Sequence, residues 1–163
     1  MSIKASTESQ LPTAQNPLAL ENQVCFSLYS AANAMTRAYR PLLEGLSLTY
    51  PQYLVMMVLW QNPGISVKTL GEKLHLDSGT LTPLLKRLES KTLVTRGRCE
   101  LDERVRVLHV TEQGQQLYQQ ALSIPEQMRC KVGGSIEDLQ QLKQLCDQAF
   151  TFLNADASSG DET

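Results

Sequence analysis

Four cysteines, Cys25, Cys99, Cys130 and Cys146, are the residues of this 163-residue chain with the most chemical latitude. A thiolate can bind metal, attack an electrophile, or be oxidised through sulfenic acid to a disulfide. Spacing argues against metal: there is no CxxC pair, and His75 and His109 stand alone and read as surface or packing residues. Oxidation remains, but a free cysteine usually behaves as a small inert hydrophobe, so spacing by itself singles out none of the four.

Whatever these thiols do, other elements must place them. Apolar residues make up 42% and charged residues 20%, which excludes a disordered chain, and the length suffices for one buried core. No apolar run nears the roughly 20 residues that cross a bilayer. The first twenty residues lack a basic stretch followed by an apolar one, so no secretory signal is read, no membrane is expected as a partner, and a reducing cytoplasm is the expected compartment. Residues 1–16 and 155–163 are expected to be disordered tails.

Between them the pattern is helical. Asn16-Pro17 reads as a helix start leading into apolar spacing from Leu20 to Ala38, with Pro41 as the stop. A second helix starts near Thr49 and runs, apolar almost all round, to the turn at Asn62-Pro63-Gly64. Ser66 caps a short helix; Asp77 caps a longer one whose Leu81, Leu84, Leu85 and Leu88 share one face. Two extended runs, Leu93–Arg96 and Val105–Val110, read as a hairpin with a long polar tip. Thr111 caps a further helix, interrupted or bent at Pro125. Gly133-Gly134 then precedes a last helix with an apolar stripe through Ile136, Leu139, Leu142, Leu145, Ala149 and Leu153. Amphipathic helices at both ends need a partner.

Net charge is −2, yet Ser66 to Val110 carries nine Lys and Arg against six acids, while the rest carries six against eleven. A short helix, a tight turn, a longer helix and a basic hairpin follow the order of a winged helix-turn-helix. The longer helix leaves Gly79, Thr82, Pro83, Lys86 and Arg87 outward, with Ser78 and Thr80 near the end that would enter a major groove. Arg96, Arg98 and Arg104 on the hairpin would reach phosphates or a minor groove. Pro83 sits awkwardly, since a proline inside a helix costs about 3 kcal/mol unless the axis bends. Buried leucines beside solvated cations would give part of this pattern without DNA; composition, element order and hairpin charge together point to DNA.

The stretches LDSGTLTPLLKRLE (Leu76–Glu89), DER (Asp102–Arg104) with VRVLHVTEQG after it, and VCFSLYSAANAMTRAYRPLL (Val24–Leu43) resemble the MarR-type winged-helix repressors, and within them the two-cysteine organic hydroperoxide regulators. The resemblance covers about residues 20–153. It implies a mainly α fold with a small β-hairpin wing and terminal dimerisation helices: residues 17–48 for dimerisation and sensing, 49–111 for DNA, 112–154 for dimerisation. It implies a cytoplasmic homodimer on a near-palindromic operator, with no enzyme activity, cofactor or metal. Asp77, Ser78, Thr80, Lys86 and Arg87 correspond to recognition-helix contacts or supports, and Arg96, Arg98 and Arg104 to wing arginines. Cys25 corresponds to the peroxide-sensing cysteine, Tyr39 and Tyr50 to its hydrogen-bonding tyrosines, and Cys130 to the resolving cysteine.

Geometry bears on that assignment. If Cys25 and Tyr39 share one helix, fourteen residues separate them by about 21 Å along the axis. They meet only if a second copy runs antiparallel. The mechanism implied is attack of the Cys25 thiolate on an organic hydroperoxide, condensation with Cys130 of the other subunit, and helix movement that misaligns the reading heads and releases DNA. Phe26, Leu28, Met56, Met57 and Trp60 are expected to supply an apolar pocket or plain core. Three rivals are a repressor released by a small phenolic or other ligand, with Cys25 incidental, a thiol peroxidase, and a purely structural dimeric domain, against which the basic hairpin argues. Cys99 and Cys146 are given no role.

Overall fold

A computed structural model describes residues 16–98 and 104–155. Most of both tails, and the hairpin tip with Cys99, Asp102 and Glu103, lie outside the described residues. The elements run α1 (Val24–Leu43), α2 (Tyr50–Gln61), α3 (Val67–Leu74), α4 (Ser78–Ser90), β1 (Val94–Arg98), β2 (Arg106–Val110), α5 (Glu112–Ala121), α6 (Ile124–Val132) and α7 (Ile136–Ala155). This is the expected helical fold with one hairpin. Packing divides the chain between Ala121 and Leu122.

In the first unit, α1 begins later than Asn16-Pro17 suggests. Asn16 Oδ1 accepts from the Leu18 N–H at 3.1 Å and closes a turn instead. A 3₁₀ turn follows at Leu20–Asn22; Gln23 is extended, and its amide donates to the carbonyls of Pro17 and Ala19 at 2.6 and 3.3 Å. The Gln23 side chain thus satisfies carbonyls that a continuing helix would have used. At the other end α1 passes Pro41 to Leu43. In a last turn the missing N–H forfeits one helical bond, that to Arg37, and the chain tolerates it.

Thr49 opens α2 through a reciprocal capping box with Gln52. Tyr53, Val55, Met56 and Leu59 are buried, making α2 the central helix that its all-round apolar sequence predicts. Ser66 Oγ caps α3, accepting from the Thr69 N–H at 3.0 Å. The turn into α4 is close: His75 is left-handed at φ 55°, the Leu76 N–H donates to the Gly71 carbonyl, and a Cβ at Gly71 would lie 2.8 Å from the Leu76 oxygen. Leu70, Leu81, Leu85 and Leu88 are fully buried. The helix α4 continues through Pro83, which cannot donate to the Gly79 carbonyl.

The hairpin pairs antiparallel from Val94↔Val110 to Arg98↔Arg106. It is stitched to the segment before α3 by Leu108 N–H to Ile65 oxygen at 3.0 Å and Gly64 N–H to Leu108 oxygen at 3.1 Å. Thr111 caps α5 by accepting from the Gly114 N–H at 3.0 Å and donates to the Thr92 carbonyl at 2.7 Å. Gly114 is pressed on the hairpin, where a Cβ would stand 2.3 Å from the Leu93 oxygen. Trp60 Nε1 donates to the Gly114 carbonyl at 3.1 Å, and its ring meets Tyr118 edge-on at 5.5 Å.

The helix from Thr111 is interrupted before Pro125 as expected, and in the second unit Pro125 sits in the first turn of α6, which its fixed φ and missing N–H suit. Gly133 and Gly134, at φ 75° and 82°, separate α6 from α7. Ser135 and Asp138 cap α7 reciprocally: the Ser135 N–H and hydroxyl donate to Asp138 at 3.0 and 2.9 Å, and the Asp138 N–H donates to Ser135 Oγ at 3.1 Å. No residue of α7 is buried, and Ile136, Leu142, Leu145, Phe150, Phe152 and Leu153 are exposed.

Candidate DNA-reading surface and thiol site

The start of α4 is built on one carboxylate. Asp77 Oδ1 accepts from the Thr80 N–H at 2.9 Å and Oδ2 from the Thr80 hydroxyl at 2.8 Å. These bonds, the backbone one first, hold the Asp77 carboxyl below the usual carboxylate range. Asp77 and Thr80 therefore fix each other, while Ser78, Gly79, Pro83, Lys86 and Arg87 are exposed and Thr82 is half-buried. Arg96 is not simply a hairpin cation: its Nε pairs with Glu89 of α4 at 3.0 Å and ties the wing to the reading helix. Arg98 and Arg104 are exposed on the two arms of the hairpin. Arg106, which sequence reasoning counted but did not single out, stands directly across from Arg98. Only the strand register reveals that pairing.

The second cluster lies where α1 meets α2. Tyr39 and Tyr50 stack with ring centroids 4.4 Å apart and planes 26° apart, and Tyr53 lies 6.0 Å from Tyr39. Burial raises the pKa of all three phenols, helped at Tyr39 and Tyr53 by repulsion from Tyr50, so they remain hydrogen-bond donors at neutral pH. An open cavity of about 630 Å³ adjoins Tyr50, lined also by Thr36, Arg37, Arg40, Ser47 and Thr49 among others. Of the apolar residues considered for a pocket, Met56 is buried core, Trp60 is held by Gly114 and Tyr118, and Phe26 and Leu28 are exposed on α1. The cavity is instead walled by a mixture of polar and charged side chains with Leu48 and Pro51.

Cys25 occupies the first turn of α1 and is exposed, as are its neighbours Val24, Phe26, Leu28 and Tyr29. Unpaired N–H groups make such a turn favourable to negative charge. Because α1 is continuous from Val24 to Leu43, Cys25 and Tyr39 stand at opposite ends of it, about 21 Å apart along the axis. The chain brings the two tyrosines together and leaves the cysteine away from them. Cys130 is exposed on α6, its thiol donating to Glu126 Oε1 at 3.7 Å. Arg129 clamps the same carboxylate at 2.8 and 2.5 Å and, as the largest influence, lowers its pKa. Cys146 is exposed on α7. Among the described residues no His, Cys, Asp and Glu cluster could hold a metal, and no single helix is long and apolar enough to cross a membrane.

Sequence reasoning missed Gln52 and Lys91. Gln52 is 2% exposed; its Oε1 accepts from the Thr49 N–H and from Lys91 Nζ, both at 3.1 Å, and Lys91 Nζ also donates to the Ser47 carbonyl. The Thr-x-x-Gln spacing could have announced the cap. Nothing in the sequence announces a lysine thirty-nine residues away.

Comparison with known proteins places this arrangement. The family of transcriptional regulators SarA/Rot matches residues 37–121. An organic hydroperoxide resistance transcriptional regulator of Bacillus subtilis (strain 168) is 50% identical over 124 residues, covering 76% of this chain and 84% of that protein. Reduced AbfR bound to DNA, from a protein of Staphylococcus epidermidis, superposes with a TM-score of 0.72 at 30% identity, covering 82% of this chain and 94% of that one. Disulfide-formed AbfR superposes with a TM-score of 0.59 at 36% identity, covering 78% and 92%. With a reading helix, a stitched wing and these relatives, the chain belongs to the MarR-type winged-helix transcriptional regulators, in the branch of the organic hydroperoxide resistance regulators.

Proposed function

We propose that this DNA-binding regulator is a cytoplasmic homodimeric repressor that lets go of its operator when an organic hydroperoxide oxidises Cys25. Residues 49–111 read a near-palindromic operator through Ser78, Lys86 and Arg87 on α4, supported by Asp77 and Thr80, with Arg98 and Arg104 on phosphates or the minor groove and Arg96 fixing the wing. Residues 17–48 and 112–154 supply the contacts between copies. One observation carries this reading: Tyr39 and Tyr50 are stacked at one end of α1, and Cys25 is exposed at the other end of the same helix. A second copy crossing antiparallel delivers each sulfur to the other's phenols and covers the exposed apolar side chains of α1 and α7.

Attack on the peroxide oxygen converts the Cys25 thiolate to sulfenic acid and releases the alcohol. Condensation with the thiol of Cys130 from the second copy then forms a disulfide and water. The two sulfurs must reach alpha-carbon separations of about 4.4–6.8 Å, so a helix has to move. That one similar regulator is known reduced on DNA and also with its disulfide formed supports a redox switch. The relatives are regulators rather than enzymes, and this chain is one too.

The test combines a gel shift with non-reducing electrophoresis. Alkyl hydroperoxide should release DNA and give a dithiol-reversible covalent dimer. Cys25→Ser should lose both, while Cys130→Ser loses the crosslink and accumulates over-oxidised Cys25. Release of DNA from Cys25→Ser by peroxide rejects the assignment. The cavity beside Tyr50, with Arg37 and Arg40 on its rim, favours a second reading in which a small phenolic ligand lifts repression. That reading predicts release from Cys25→Ser by the ligand, without peroxide.

A further inference from the structure

The end of the reading helix and the wall of the tyrosine cavity share one cation. Lys91 is the C-terminal cap of α4, half-buried, with Nζ on the Ser47 carbonyl and on Gln52 Oε1 at 3.1 Å. Its two acceptors do not belong to α4. Ser47 and Thr49 line the cavity, Gln52 holds the Thr49 N–H at 3.1 Å, and Thr49 caps the helix whose first residue is Tyr50. Gln52 is 2% exposed, so its oxygen has little access to water in place of the lysine. Ser47 is also a non-glycine residue at φ 52°, a conformation that persists where neighbours hold it, and Lys91 is one of those neighbours.

We infer that Lys91 is a positioning residue that couples the cavity beside Tyr50, on which Tyr39 stacks, to the presentation of α4. This rests on the proposed redox reading. When the partner sulfur leaves the phenols to form its disulfide, Tyr50 and the Ser47–Thr49 wall relax. Lys91 loses its paired acceptors, and α4 loses the anchor at its trailing end. The lysine lies outside the set of DNA contacts, so its contribution to affinity belongs to the reduced state alone.

The test measures operator affinity of the full-length protein, reduced and after treatment with cumene hydroperoxide, for wild type, Lys91→Met and Lys91→Arg. In Lys91→Met the reduced affinity should fall toward that of oxidised wild type while the oxidised affinity stays put, shrinking the ratio between states by about two- to thirtyfold. Lys91→Arg should restore the ratio. A phosphate contact would instead weaken both states equally, and an unchanged ratio in Lys91→Met overturns the inference. Wild type whose affinity ignores oxidation would sink the redox reading itself, a distinguishable failure. A measurement needing no variant guards against misfolding: in wild type, oxidation should speed hydrogen exchange jointly at the Tyr53 and Lys91 amides, which bond to Thr49 and Arg87. Exchange that changes at one and not the other also overturns it.

Discussion

The segment from α2 to β2 and the two twenty-residue helices α1 and α7 solve the same problem in opposite ways. The first completes itself. Leu59, Leu70, Leu81, Leu85, Leu88, Leu93 and Leu108 are buried within the chain, its helix starts are capped by Thr49, Ser66 and Asp77, and its hairpin is stitched to the residues before α3. The long helices do not: α1 buries Leu43 alone and α7 nothing, while each carries a row of exposed apolar side chains. The lesson is that the winged head forms its own core, whereas the described helices that bear Cys25 and Cys146 leave their apolar sides largely open. On the proposed redox reading, a sulfur on such open surface is within reach of a second copy, as one in a buried core is not.

The comparison is sharpest in paired truncations. Leu85→Ala should cost about 2–5 kcal/mol in urea unfolding at every protein concentration, because the hole lies in a self-contained core. Leu145→Ala should cost under about 0.5 kcal/mol at high dilution, where the side chain is a surface residue, and more only as concentration rises. Equal, concentration-independent losses would erase the distinction. Next in size is Gly114→Ala, which sets a methyl 2.3 Å from the Leu93 carbonyl and should lower stability by about 1–3 kcal/mol while leaving the association constant between copies unchanged. The smallest effect concerns acid. Because the folded Asp77 carboxyl is held below its ordinary value of 3.8, its contribution is present above that value and lost as pH falls through the lower folded one. Asp77→Asn, which can still cap, should flatten the acid limb of a urea-midpoint profile between pH 7 and pH 3. A wild-type limb of the same slope would show that the carboxylate adds nothing.

What was legible in the sequence was what short-range chemistry dictates. Ser66, Asp77 and Thr111 cap where their side chains predict, and Gly133-Gly134 breaks the chain where positive φ is needed. The i, i+3, i+4, i+7 leucines of α4 face the core, with Leu84 at its half-buried edge. What escaped was set by competition or by distance. Gln23 out-competes the helix for two carbonyls, and beyond the interruption that Pro125 announces a new helix starts at Ile124. At the site, residue spacing already separated Cys25 from Tyr39. The stacking of Tyr39 on Tyr50, the Arg96–Glu89 pair and the Lys91–Gln52 bond join residues that share no periodicity, so only the fold brings them together.

The tight corner between α3 and α4 also governs how such a protein can change its target. The backbone constraints there fall on Gly71, His75 and Leu76 and on the cap from Asp77 to Thr80, upstream of Thr82, Lys86 and Arg87. On the proposed reading of α4, Thr82, Lys86 and Arg87 can therefore be rewritten as a cassette to retarget the head without disturbing its frame, provided the corner is inherited intact.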